Sequence, residues 1–217
     1  MDIELARFNM IEQQIRPWEV LDPGLLGLLK KLPRELFVPP QDRDLAFADL
    51  NLPISHGECM MQPKVEARLA QALALTSTDR VLEVGTGTGY LTALLASCCA
   101  QVTSIDIHGD FLKPASARLE SLGIVNATFI EGDAAEDWAE DDGWDAIILT
   151  GSVPVPPHAH RNRLAAGGRL VAIVGQSPVM EAMLYSRSDD GESTELSLFD
   201  TSLPPLINVR TPSAFTF

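Results

Sequence analysis

The sequence has few cysteines, few basic residues and no long hydrophobic run. Its three cysteines, Cys59, Cys98 and Cys99, are odd in number and lack a C-x-x-C spacing, so they predict neither a disulfide framework nor a zinc site. Sixteen lysines and arginines stand against 30 aspartates and glutamates, and this net charge of −14 argues against duplex DNA as a partner. No stretch approaches the roughly 18 consecutive apolar residues that a membrane span requires.

The remaining composition is typical of a globular protein, with hydrophobic residues making up 46% of the 217 residues. One well-filled domain with an appendage is expected at this length. The first residues do not form a basic segment followed by an apolar one, so a cytoplasmic location without a signal peptide is expected. The histidines form no metal-binding motif, and His158 and His160 are expected in a solvated loop, so no metal site is predicted.

The first part of the chain has helical patterning interrupted by prolines. A short helical turn over residues 10–15 is predicted to stop before Pro17, because a residue preceding proline avoids the α region. A second helix begins with Asp22 as its cap and ends at the basic pair 30–31, and a third begins at Pro63.

From Arg80 onward, short aliphatic runs alternate with helical segments. Strands are predicted at 81–84, 102–105, 127–130, 146–149 and 169–174, followed by an antiparallel pair at 183–187 and 194–198. Helices are predicted at 91–100, 111–122, 134–139 and 159–164. The predicted fold class is therefore α/β, with a mostly parallel seven-stranded sheet covered by helices on both faces and a helical N-terminal extension.

A glycine-rich turn follows the first of these strands. Residues 82–90 read LEVGTGTGY, and glycines after a parallel strand let a ligand approach the backbone closely. The spacing is G-x-G-x-G, not the G-x-G-x-x-G of dinucleotide sites, and a Gly-Lys-Ser/Thr phosphate loop is missing. Asp106 closes the second strand, where a carboxylate can accept hydrogen bonds from a ribose diol. The pattern predicts a nucleoside ligand without pyrophosphate.

Two alternatives remain open at this point. The glycines could form only a tight turn with Asp106 as a helix cap, although strand, spacing and acid together favour a ligand site. Asp133 follows the third strand and could accept a hydrogen bond from an adenine amino group or cap the helix predicted after it.

The chain resembles the protein-L-isoaspartate O-methyltransferase family of class I S-adenosylmethionine-dependent methyltransferases. The segments that carry the resemblance are PRELFVP at 33–39, LPI at 52–54, QP at 62–63, the strand and glycine turn at 81–90, GD at 132–133, WDAIILT at 144–150 and the stretch 164–175. The glycine turn is typical of methyltransferases in general, whereas the proline-containing segments indicate this one family.

The resemblance implies an S-adenosylmethionine site at successive strand ends. The amino-acid part would lie against Glu83, Gly85 and Gly87, the ribose against Asp106, and the adenine against Gly132, Asp133 and Ala134. The other predicted cofactor-binding residues are Thr86, Tyr90, Ile107 and Thr150. On this basis residues 1–78 comprise the helical extension and a cofactor-covering segment, and residues 79–217 the Rossmann-like core.

The covering segment departs from the family pattern. Its residues are Cys59, Met60, Met61 and Gln62, where the family usually reads Thr-Ile-Ser-Gln. Met61 therefore occupies the position of the serine most often tied to catalysis, so no catalytic residue is assigned. Simple core packing is an equally good explanation of the two methionines. The segment 201–206, TSLPPL, is altered from the substrate-contacting segment of the family as well.

The resulting prediction is methyl transfer to a carboxyl group of isoaspartyl residues in damaged proteins or peptides, without nucleic acid or membrane as partner. Lys64, Arg68 and Arg161 are the candidate cations near a cleft that receives a carboxylate. Because of Met61, one alternative is a family member with a different acceptor. Another is a cofactor-binding homologue without catalysis.

Overall fold

The structure is a computed structural model that describes residues 2–138 and 143–210. The strands are β1 Leu52–Pro53, β2 Cys59–Met60, β3 Arg80–Val84, β4 Gln101–Asp106, β5 Ala127–Glu131, β6 Trp144–Val153, β7 Leu164–Gln176, β8 Val179–Arg187 and β9 Ser193–Asp200. The α-helices are α1 Ile3–Met10, α2 Pro23–Lys31, α3 Pro63–Ala72, α4 Tyr90–Ala96, α5 Gly109–Ser121 and α6 His158–Asn162.

The main sheet has seven strands in the order β5-β4-β3-β6-β7-β8-β9. The first five in this order are parallel, and β8 and β9 are antiparallel to their neighbours. In chain order, the main sheet begins with β3, adds β4 and β5 on one side of it, and then places β6 on the other side of β3. This reversal opens a crevice at the carboxyl ends of β3 and β6, where open α/β sheets bind ligands. The predicted α/β class and mostly parallel sheet are confirmed.

The sheet is buried on both faces, as near-continuous aliphatic strands require. Along β3, Val81, Leu82 and Val84 are almost inaccessible to solvent and belong alternately to the cores on the two faces. The larger core also contains Met10, Leu29 and other residues of the N-terminal helices. The division of the chain after residue 78 stays a prediction.

The N-terminal helices follow their capping residues. Asp22 accepts a hydrogen bond from the Leu25 backbone N–H (2.6 Å) and Pro23 opens α2, as predicted. At the first helix the prediction was too short, because α1 begins after Asp2 and helical turns continue through Trp18. Pro17 does not end these helical turns. It lies at the start of a 3₁₀ turn, where a backbone N–H would have no hydrogen-bond acceptor within the turn, so proline sacrifices no bond there.

The helix predicted at 134–139 is wrong for its described residues, 134–138, which have no helical turn. The Asp133 side chain accepts a hydrogen bond from the Ala135 backbone N–H (3.1 Å) and so closes a local turn instead. Residue 139 lies outside the described residues. Asp133 is therefore not a helix cap. Helix α4 is also shorter than predicted and ends at Ala96.

In the described part of the chain, no helix combines the length and apolarity needed to cross a membrane. Residues 2–138 and 143–210 contain no group of three or more histidine, cysteine or acidic side chains that could hold a metal ion.

Candidate cofactor site

A cavity open to solvent lies at the carboxyl ends of the parallel strands, and the empty space in it, with its open mouth included, is about 880 Å³. It is lined by thirteen of the fifteen residues predicted for the cofactor and its cover: Cys59, Met60, Met61, Gly85, Thr86, Gly87, Tyr90, Asp106, Ile107, Gly132, Asp133, Ala134 and Thr150. The structure does not bring Glu83 or Gln62 to the cavity wall. The cavity is lined in addition by residues of the segment 204–207, which follows β9.

The glycine turn lies against the end of β6. Gly85 has a φ of 100°, and a Cβ at this position would overlap the Thr150 hydroxyl, so a larger residue fits neither the backbone nor the space. Thr150 donates to the carbonyl oxygens of Val84 and Gly85, both at 2.9 Å. Thr150 of β6 thus holds the glycine turn in a conformation in which the Gly85 backbone lines the cavity.

Asp106 is held in place by backbone donors. Its Oδ2 accepts from the Gly87 N–H and its Oδ1 from the His108 N–H, each at 2.9 Å, and the residue is 7% exposed. Each carboxylate oxygen can accept a further hydrogen bond. The side chain is therefore preorganised at the cavity wall with acceptor capacity left for a diol.

Asp133 lines the cavity and is tied to the C-terminal part of the chain. Its Oδ2 accepts from the Asn208 side-chain amide at 2.8 Å, in addition to the Ala135 contact through Oδ1. Asn208 has a φ of 69°, a left-handed conformation that asparagine tolerates better than most residues. The sequence offered no signal for this contact, because it joins positions 75 residues apart.

His160 corrects the expectation of a solvated histidine loop. His158 is exposed, but His160 is fully buried, and its Nε2 donates to the Ala134 carbonyl oxygen at 2.8 Å. Burial lowers the pKa of His160, which favours the neutral ring. The histidine therefore supports the loop that brings Ala134 to the cavity wall.

Glu83 is the main correction to the predicted site. Its side chain is fully buried beneath the glycine turn, where Oε2 accepts from Thr92 (2.5 Å) and Ser104 (2.6 Å). Its Oε1 has no hydrogen-bond partner within the described ranges. Burial raises the pKa of Glu83 to about 8, so the carboxyl group is mostly neutral at pH 7. It braces the turn and does not contact the cavity.

This burial predicts a pH-dependent stability. A carboxyl whose pKa rises on folding stabilises the protein fully below its unfolded pKa, and this stabilisation is lost as the pH rises toward 8. Glu83→Gln, which mimics the neutral carboxyl, should reduce by about 2–4 kcal/mol the loss of unfolding free energy between pH 5 and pH 8.5. Urea unfolding of wild type and Glu83→Gln at both pH values measures this difference in the free energy of unfolding. Glu181→Gln, on the exposed part of β8, is the control, and an identical pH dependence in wild type and Glu83→Gln would contradict the assignment.

The covering segment begins in a small hairpin, residues 52–60, whose strands β1 and β2 pair Leu52 with Met60 and Pro53 with Cys59. We call it the cover hairpin. Met60 and Met61 are each 5% exposed and belong to the larger core, as the packing explanation expects, and both also line the cavity. Burial raises the pKa of Cys59 to about 11, which keeps it a thiol at neutral pH and unsuited as a nucleophile.

A buried arginine holds this wall of the cavity from behind. Arg34 is 1% exposed, forms an ion pair with Glu66 and donates to the Met61 carbonyl oxygen at 2.6 Å. Its guanidinium also lies over the Tyr90 ring, 4.6 Å from the centroid. Met61, Glu66 and Tyr90 all line the cavity. The sequence marked Arg34 only as part of a resembling segment, because an isolated arginine gives no sign of being buried.

The candidate cations lie elsewhere. Lys64 pairs with Asp49, Arg68 with Glu19 and Arg161 with Glu195, and none of the three lines the cavity. The acidic residues among the lining residues of the described chain are Glu58, Glu66, Asp106 and Asp133, and no lysine or arginine is among those lining residues. The three candidate cations therefore do not make the described cavity locally positive.

Comparisons with known proteins agree with this geometry. A sequence model of the family described as Protein-L-isoaspartate(D-aspartate) O-methyltransferase (PCMT) matches residues 7–208. The chain belongs to the protein-L-isoaspartate O-methyltransferase family. It is 39% identical over 196 residues to protein-L-isoaspartate O-methyltransferase 2 of Pelobacter propionicus, covering 89% of this chain and 87% of that protein. Over 203 residues it is 39% identical to the protein-L-isoaspartate O-methyltransferase of Koribacter versatilis, covering 94% and 91%.

Solved structures support the fold. A protein-L-isoaspartate O-methyltransferase beta-aspartate methyltransferase of Plasmodium falciparum, in complex with S-adenosyl-L-homocysteine, matches with a TM-score of 0.74 and 19% identity over 95% of this chain and 98% of that one. A protein-L-isoaspartate O-methyltransferase matches with a TM-score of 0.72 and 24% identity over 92% of this chain, which spans 65% of that chain. The family is one of S-adenosylmethionine-dependent O-methyltransferases, so the resemblance and the predicted enzyme class are confirmed.

Proposed function

We propose that this chain binds S-adenosylmethionine in the cavity and methylates the α-carboxyl group of isoaspartyl residues in proteins or peptides. The observation that carries the proposal is the placement of Asp106 beside the glycine turn at the strand reversal of a protein-L-isoaspartate O-methyltransferase fold. The cytoplasmic location and the lack of a nucleic-acid partner stay predictions.

The residues present fit this cofactor. The glycine turn brings backbone to the cavity wall, Asp106 has free acceptor capacity for ribose hydroxyls, and Asp133 lines the cavity with a carboxylate that can accept from an adenine amino group. The cavity lining includes no lysine or arginine among the described residues, which suits a nucleoside without phosphate. When bound, S-adenosylmethionine supplies a methyl group activated by a positively charged sulfur.

The chemistry asks this chain mainly for positioning. An acceptor carboxyl has an ordinary pKa of about 4, so it is ionised at neutral pH and needs no general base. The protein has to align the two reactants and exclude water. Met60, Met61 and Leu206 supply apolar walls for this purpose, and Arg34 fixes the Met61 backbone.

A labelled-methyl assay tests the proposal. Protein, tritiated S-adenosylmethionine and an isoaspartyl peptide should give a base-labile methyl ester, whereas the same peptide with normal aspartate should not. Absence of base-labile label above a blank, from protein that binds S-adenosylhomocysteine in calorimetry, would reject the isoaspartyl acceptor and keep the cofactor site.

Restoring the missing hydroxyl predicts a gain of activity. Met61→Ser places a hydrogen-bond donor at the cavity wall, and one such bond is worth about 1–3 kcal/mol, or about 5- to 150-fold in rate. We expect kcat/KM for the isoaspartyl peptide to rise at least fivefold, with cofactor affinity little changed. Met60→Ser, at the adjacent lining residue, is the matched control. An unchanged or lower rate in a folded Met61→Ser variant would contradict the orienting role of a hydroxyl there.

The charge of the cavity favours a second candidate, an uncharged or cationic acceptor. Glu58, Asp106 and Asp133 line the described cavity without a lysine or arginine beside them, and Glu66 is paired with Arg34, so an approaching carboxylate meets like charge. Incubating a lysate with labelled donor separates the candidates, because label on a nitrogen or an ether oxygen survives base treatment whereas a carboxyl ester does not.

A further inference from the structure

The tip of the cover hairpin is attached to helix α5 by one histidine. The ring of His56 stacks on that of His108, with centroids 3.9 Å apart and planes 8° apart, and meets the Phe111 ring edge-on at 5.4 Å. Its Nε2 lies 2.9 and 2.8 Å from the two carboxylate oxygens of Asp110. These contacts join positions more than 50 residues apart in the sequence.

The backbone at the tip of the cover hairpin has an unusual conformation at His56 and Gly57. His56 has a φ of 62° and Gly57 a φ of 80°, so two successive residues adopt the left-handed conformation. A non-glycine residue there is uncommon and persists only where its surroundings compensate for the strain. The stacked ring and the Asp110 contact supply that compensation, and the interaction lowers the pKa of Asp110 through the hydrogen bond from His56.

The attachment connects two walls of the cavity. On one side, Ile54, Met60 and Met61 line the cavity from the cover hairpin and the residue after it. On the other side, His108 lines it and donates its backbone N–H to Asp106 at 2.9 Å. The contacts of His56 therefore hold the cover hairpin, which lines one wall, against the segment that positions Asp106 on the other wall.

We propose that His56 is a positioning residue that clasps the cover hairpin onto helix α5 and slows the dissociation of the cofactor and its product. This inference rests on the proposed cofactor site. His56 is not among the cavity-lining residues, so it acts through His108 and through the position of the hairpin.

The test measures the dissociation of S-adenosylhomocysteine, which requires no methyl acceptor. His56→Asn removes the stacked ring and the Asp110 contact but keeps a residue that tolerates the left-handed backbone. We expect the dissociation rate constant in stopped-flow displacement to rise about 5- to 10-fold, with an unchanged melting temperature. Ser55→Ala, an exposed neighbour in the same turn, should leave the rate constant within twofold of wild type.

A second variant removes the α5 partner of His56. Asp110→Ala leaves the stacked rings in place and should accelerate dissociation about 2- to 3-fold, less than His56→Asn. Under steady-state conditions His56→Asn should raise KM for the cofactor but leave KM for the peptide unchanged, a split that general destabilisation would not produce.

The outcomes separate the two proposals. If wild type binds S-adenosylhomocysteine and both variants release it at the wild-type rate, the clasp is rejected and the cofactor site stands. If His56→Asn fails to fold, Asp110→Ala decides alone, and a wild-type rate then rejects the clasp. If folded wild type does not bind S-adenosylhomocysteine, the proposed function fails, and the clasp fails with it.

Discussion

Asp106→Ala is expected to weaken S-adenosylhomocysteine binding about 100-fold, the largest effect on binding that the structure predicts. Removal of the side chain deletes the proposed acceptor for two ribose hydroxyls and frees the N–H groups of Gly87 and His108. Hydrogen bonds to a charged group are worth about 1.5–3 kcal/mol each, and about 2.7 kcal/mol corresponds to 100-fold. Isothermal titration calorimetry measures the change.

The matched control for this experiment is Asp22→Ala. Asp22 also accepts a backbone N–H, from Leu25 at the start of α2, but it does not line the cavity. Its replacement should lower stability by about 1 kcal/mol and leave the dissociation constant unchanged. Equal affinities of wild type and folded Asp106→Ala would contradict a contact between Asp106 and the ribose diol and would leave the proposed cofactor site without its main support.

The largest expected effect on stability belongs to Arg34→Met. This substitution leaves Glu66 buried without its partner and frees the carbonyl oxygens of Ala46 and Met61, to which Arg34 donates. Breaking a buried ion pair by removing one partner costs about 3–5 kcal/mol. We expect that loss in the free energy of unfolding at pH 8, measured by urea denaturation.

The pH dependence and a double variant test whether the unpaired Glu66 causes the loss of stability in Arg34→Met. Burial raises the pKa of Glu66 to about 7 although Arg34 opposes the shift, and without Arg34 the neutral form is favoured further. Since a raised carboxyl pKa gives stability that is lost as the pH rises, the loss in Arg34→Met should be smaller at pH 5 than at pH 8. Arg34→Met combined with Glu66→Leu should recover part of the stability at pH 8. A double variant as unstable as the sum of both singles would contradict a direct interaction.

Segments with a strong local pattern were predicted well from the sequence. β3 and the glycine turn combine a buried aliphatic strand with glycines at fixed spacing, and both the strand and the cavity beside it are present. Helix α2 has an acidic cap, a proline at its first position and basic residues at its end, and its bounds follow them. In these segments, local conformational preference and tertiary packing favour the same structure.

Segments governed by distant contacts were predicted poorly. Residues 134–138 have helix-forming composition, but Asp133 closes a turn with Ala135, and Asn208 and His160 hold the loop from other parts of the chain. Composition cannot reveal such partners, because each lies more than 25 residues away. The same reason explains why His160 was expected in solvent although it is buried.

The sequence alone determined the family, the alternation of strands and helices, and the carboxylate that closes the second strand, because each depends on residue type and spacing along the chain. The tertiary structure decided which side chains reach the cavity. It buries Glu83 beneath the glycine turn and attaches the cover hairpin to α5 through His56. It also pairs Lys64, Arg68 and Arg161 with carboxylates outside the cavity. These outcomes depend on which groups lose water and which find partners when distant segments pack together, and spacing along the chain does not contain that information.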